Sequence, residues 1–167
     1  IFKYLLFNRE HPIHKANLMR LFWPDSSDEA QRNNLNVNIY NLRQALRSDE
    51  TDFSHIVFQN DCYRLNPDLN IWIDAEQFFK FYTNDRRCQQ DNPEAAAHEF
   101  MAAVALYQGM FLPDDAYDRW VEEQRQALQS AYIHALEYLS DYAFERGDYT
   151  ACIAACQKLL TVEPCLE

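Results

Sequence analysis

Residues 29–47 gather side chains suited to chemistry on a charged polymer. Arg32, Asn36, Tyr40, Arg43 and Arg47 recur at helical spacing. At about 100° per residue they line one flank of an apolar stripe formed by Leu35, Ile39, Leu42 and Leu46. Glu29 is the only acid in the stretch. Arginine pairs bidentately with phosphate or guanine, and asparagine with adenine. The stretch therefore predicts a recognition helix for double-stranded DNA, with Asn33 beside Arg32 as a further contact. A solvated polar face is the plainer alternative, and this helix on its own leaves both open.

Such a helix must be held at an angle by its neighbours. Residues 1–7 read as the end of a helix, with Ile1, Phe2, Leu5 and Leu6 on one side, broken at His11-Pro12. Residues 15–23 read as a second helix, with Leu18, Leu21 and Phe22 inward. Pro24 to Asp28 forms a turn in which Ser27 or Asp28 caps the next helix. The order is that of a helix-turn-helix. Residues 48–54 are polar and acidic and read as a loop. Two β-prone runs, 55–58 and 63–65, then flank an Asn60-Asp61 turn. A hairpin after a recognition helix is a wing, with Asn60 at its tip and Arg64 on a strand to meet backbone or minor groove. A short strand is a further option at 71–73.

From Asp74 the periodicity is helical. Residues 75–83 carry Phe78, Phe79 and Tyr82, and 84–92 form a charged loop. Pro93 opens a helix running through Tyr107 and ended by Gly109. Asp118 to Arg146 is one long amphipathic run stopped at Gly147-Asp148. A last helix spans 149–162, with Pro164 just beyond. Leu139, Ala143, Gly147, Tyr149, Cys152, Cys156, Leu159 and Pro164 match the spacing of a tetratricopeptide unit. Cys152 and Cys156 fall at its small and aromatic positions. Buried free cysteine accounts for them better than a metal clip or redox pair. Trp23 and Trp72 are expected to pack in a core or between domains, and Trp120 in the helical repeat.

Composition narrows the function. The net charge of −11 is unlike that of most nucleic-acid binders, but it is unevenly spread. Residues 1–74 carry 8 basic and 10 acidic side chains, and residues 75–167 carry 7 and 16. The first half can therefore still present a local basic face, which is what phosphate contacts require. Two glycines leave no room for a glycine-rich phosphate loop. No apolar run approaches the ~20 residues that span a bilayer, so no membrane partner is expected. The odd count of five cysteines, without a CxxC pair, suits a reduced, cytoplasmic protein. The histidines are scattered, and neither metal nor cofactor is expected. Asp114-Asp115 and Glu122-Glu123 are adjacent and do not face each other, so they read as solvated charge rather than a catalytic pair. The chain opens inside an amphipathic pattern and stops just after one repeat unit, which suggests a fragment.

These stretches together resemble the SARP-type bacterial transcriptional activators. The matching residues run from Leu18-Met19-Arg20-Leu21-Phe22-Trp23-Pro24-Asp25, through Ala30 and Arg32-Asn33-Asn34-Leu35, to Leu42-Arg43-Gln44-Ala45-Leu46. They continue at Tyr63-Arg64-Leu65-Asn66, Ile73-Asp74 and Phe78, with Cys62 standing where the family usually has glycine. Further on they are Ala105-Leu106-Tyr107-Gln108-Gly109, Phe111-Leu112-Pro113, Trp120-Val121-Glu122, Arg125 and Leu128. The last are Glu145-Arg146-Gly147-Asp148-Tyr149, Glu163-Pro164 and Glu167. The resemblance implies a mainly α fold: a winged helix-turn-helix with a small β-hairpin wing at 1–70, cut at its amino terminus, then an α-helical, tetratricopeptide-like activator domain at 71–167. It implies promoter binding, often as a homodimer on repeated sites, and contact with RNA polymerase.

Two functions compete. One is a DNA-binding transcriptional regulator that uses Arg32, Asn33, Asn36, Tyr40, Arg43, Arg47, Asn60 and Arg64. The other is a protein-interaction module whose winged helix no longer binds DNA. An intramolecular pair of Arg43 with Asp74 or Glu76 would favour the second. An enzyme is the weakest reading, because no nucleophile–base pair can be placed.

Overall fold

The computed structural model describes residues 1–47, 53–85, 92–115 and 119–162. The chain divides into two units, Ile1–Ile71 and Trp72–Glu167. The fold is mainly helical with one small antiparallel sheet, as the sequence predicts.

Unit 1 runs α1 (Phe2–Phe7), β1 (Ile13–His14), α2 (Lys15–Phe22), α3 (Asp28–Ala45), β2 (Ile56–Gln59) and β3 (Cys62–Leu65). The sheet order is β1-β3-β2, with Ile13 opposite Tyr63 and Ile56 opposite Leu65. Leu5, Leu18, Leu35, Ile39, Ile56, Tyr63 and Leu65 form one buried cluster. Each helix gives it one stripe and the hairpin one face, because side chains alternate across a strand. Leu42, Leu46 and Trp23 pack at its edge. Ser27 caps α3, its Oγ accepting from the Ala30 N–H at 3.4 Å. Asp28 and Glu29 in the first turn suit the positive end of the helix dipole.

Unit 2 runs α4 (Asp74–Asp85), α5 (Pro93–Leu106), α6 (Arg119–Glu145) and α7 (Tyr149–Val162). Asn92 caps α5, with Pro93 at the first helical position. Gly147, at φ +74, ends α6. The Asp148 N–H there donates back to the Ala143 carbonyl at 2.9 Å, a closure that a left-handed residue permits. Asp148 then caps α7 through the Ala151 N–H at 3.0 Å. Tyr107 and Tyr132 stack at 3.9 Å, and burial raises both phenols above their ordinary range, with mutual repulsion adding to the shift at Tyr132. Arg125 explains a matched motif. Its guanidinium donates to the Phe111 and Leu112 carbonyls and lies 3.7 Å from Glu122, so it fastens the loop after Gly109 onto α6.

Several expectations change. The two-residue strand β1 was not evident, because its only signal is its partner. No strand forms at 71–73: Ile71 instead accepts a hydrogen bond from Arg9 at 2.8 Å, and Trp72 is 66 % exposed rather than packed. Leu21, expected inward, is 38 % exposed. The recognition helix ends at Ala45, leaving Arg47 two residues beyond it. The loops at 48–54 and 84–92 and the helix start at Asp118 fall wholly or partly outside the described residues. Cys88, Cys165, Pro164 and the matches at Glu163 and Glu167 also lie outside them. Among the described residues Cys62, Cys152 and Cys156 are free thiols, and Ser140 Oγ sits 3.7 and 3.4 Å from the latter two sulfurs.

Candidate nucleic-acid interface

Because Leu35, Ile39 and Leu42 face the core, the opposite ridge of α3 is fixed by helix geometry. Stepping 100° per residue, it comprises Asn33, Val37, Tyr40 and Gln44. All four are exposed; Val37 is 49 % and Tyr40 62 % open. Asn36 lies between this ridge and the basic flank, where Arg32 and Arg43 stand. The flank is on the hairpin's side, because one Arg43 guanidinium nitrogen donates to the Ile56 carbonyl of β2 at 3.0 Å. A guanidinium has five donors, so the bond fixes the direction of Arg43 without using up its capacity. Arg47, past the helix end, keeps its place through its N–H, which donates to the Gln44 carbonyl at 3.2 Å.

The angle of α3 is set at its other end by a residue the chemical reading passed over. Gln31 is buried, and its amide donates to the Trp23 carbonyl at 2.7 Å. That bond joins the end of α2 to the first turns of α3. The signal was present: Gln31 sits four residues before Leu35, on the stripe that becomes core.

The wing is tight. Asn60 (φ 51) and Asp61 (φ 60) both adopt the left-handed conformation of a two-residue turn whose twist matches the strands. Glycine is not needed because asparagine and aspartate tolerate this region better than other side chains do. Cys62, at the family's glycine position, is therefore an ordinary strand residue opposite Gln59. Arg64 lies on the outward face of β3, paired with Val57, while Tyr63 and Leu65 point inward. The tip is tied down by Lys15, whose N–H donates to the Asp61 carbonyl at 2.8 Å and whose Nζ meets Asp61 Oδ1 at 2.7 Å. Lys15 holds the Asp61 carboxyl below its ordinary range, by hydrogen bond first and charge second. It also offsets the one acid at the tip, which would otherwise repel phosphate.

A three-helix core with a two-residue-tipped wing and an outward, polar third helix defines the winged-helix class of DNA-binding proteins. The model of the bacterial transcriptional activator domain matches residues 73–167, and that of the transcriptional regulatory protein, C terminal, matches residues 1–60. The chain belongs to the bacterial transcriptional activator domain family, with the winged-helix-first order of the SARP-type activators. It is a transcriptional regulator with a DNA-binding winged-helix domain, not an enzyme. No curated protein matches it significantly. No helix among the described residues is long and apolar enough to cross a membrane.

Proposed function

We propose that the protein is a sequence-specific activator that reads promoter DNA in the cytoplasm. Asn33, Asn36 and Tyr40, with Val37 among them, face the base edges of the major groove. Arg32, Arg43 and Arg47 meet the flanking phosphates, and Arg64 and Asn60 meet the backbone beside the wing. The observation that carries this reading is the alignment of an exposed amide-rich ridge and an arginine flank on the side where Arg43 joins the hairpin. Two protomers on repeated sites and contact of the helical unit with RNA polymerase complete the proposal, on the support of the family architecture.

Selection of bound duplexes from a random pool should return one motif. Its binding should weaken with salt at a log–log slope of roughly −3.6, about 0.9 per phosphate neutralised by Arg32, Arg43, Arg47 and Arg64. Asn36→Ala should flatten preference at one base pair by about 1–3 kcal/mol. Absence of duplex binding at low salt refutes the proposal and favours the protein-interaction reading. Run-off transcription with RNA polymerase on the selected site tests activation.

A further inference from the structure

Unit 2 holds a cavity of about 450 Å³ between α5, α6 and α7. Met101, Leu136, Leu139, Ala151, Ala154 and Ala155 give it an apolar lining, and its size is that of a small-molecule site. Two cations border it, Arg146 and Lys158. Residues 75–167 carry 16 acids, yet among the described residues neither cation is paired with a carboxylate. By contrast Arg119 and Arg125, on α6, are each paired with a glutamate. The Arg146 guanidinium rests over the Tyr142 ring at 5.3 Å, which holds it at the cavity mouth with its donors available. Asp148 also lines the cavity, but its carboxylate caps α7.

Arg146 directly follows the last residue of α6, and Lys158 lies ten residues along the chain from Asp148, about 15 Å of helical rise. The backbone positions that carry the two charges are therefore well separated along α7. We propose that this cavity binds an elongated amphipathic anion, with an apolar middle over the alanine and leucine floor and an acidic group at each end, one for Arg146 and one for Lys158. The site gives the regulator an input within its helical unit, and its binding does not depend on the DNA reading above.

The test is isothermal titration of the whole chain with dodecanedioate, whose carboxylates span a similar length, against dodecanoate and the neutral 1,12-dodecanediol. The diacid should bind about tenfold more tightly than the diol, since charge-assisted contacts to fixed cations are the stronger ones. Arg146→Gln and Lys158→Gln should each remove most of that advantage. Either variant should bring the diacid down to the affinity of dodecanoate, which engages one end. Ala154→Leu, an exposed position in the lining, should block all three probes while circular dichroism stays unchanged. No binding, equal binding of diol and diacid, or unchanged affinity in either charge variant overturns the proposal.

Discussion

Replacing Gln31 with leucine tests what sets the angle of the reading helix. Leucine is close to glutamine in size, so the site loses little packing. What it loses is the amide donor to the Trp23 carbonyl, leaving that oxygen with the Ser26 N–H at 3.2 Å as its remaining donor. Losing one of two hydrogen bonds to a carbonyl costs about 0.5–1.5 kcal/mol. Unit 1 spans Ile1–Ile71, and in a domain of that size each kcal/mol moves the melting temperature by roughly 4–8 °C. Gln31→Leu should therefore lower the melting of unit 1 by roughly 5 °C. Hydrogen exchange in peptides covering α2 and α3 should quicken by about fivefold. Duplex affinity should fall although residue 31 touches no nucleic acid. Gln31→Glu should be worse near neutral pH, where a carboxylate would face a carbonyl oxygen, and should recover in acid as protonation restores a donor. If Gln31→Leu melts and exchanges like the parent, the buried amide does not hold the helix pair together.

Asp61→Asn should loosen the wing tip, seen as faster amide exchange at Lys15. Asp61 is held below its ordinary range, so its contribution is present above the unfolded value of about 3.9 and is lost as pH falls through the lower folded value. The pair is exposed, so the effect on global stability should be small. Arg43→Met should cost about 1 kcal/mol of unit 1 stability through the lost bond to Ile56, whether or not DNA is present. An Arg43→Met variant as stable as the parent but defective in binding would make Arg43 purely a DNA contact. Gly147→Ala should destabilise the α6–α7 hairpin by roughly 1–2 kcal/mol. No atom lies within 4 Å of the added Cβ, so the cost is that of the left-handed backbone alone, read by urea unfolding.

What the sequence made legible is what its neighbours along the chain decide. The stripe at Leu35, Ile39 and Leu42, the Ser27 cap and the Asn60-Asp61 turn all follow from local spacing and backbone preference. What it concealed depends on partners far away. The strand Ile13–His14 exists only because Tyr63 and Cys62 lie beside it. Lys15 and Asp61 are 46 residues apart, and Arg9 reaches 62 residues to Ile71. Leu21 and Trp72 are apolar by type, and nothing in the described structure requires either to be inside. The resemblance located the reading helix but gave no weight to Val37 or Gln44. Those emerge only when the core side of α3 is known and the opposite side can be drawn.

The hairpin tip has a consequence for which changes the protein can accept. With two residues joining β2 to β3, every side chain beyond the turn owes its facing to that count. One inserted residue would turn Tyr63 and Leu65 out to solvent and drive Cys62 and Arg64 into the hydrophobic interior. Tip chemistry is therefore free to drift under selection for new operators, whereas its length is not.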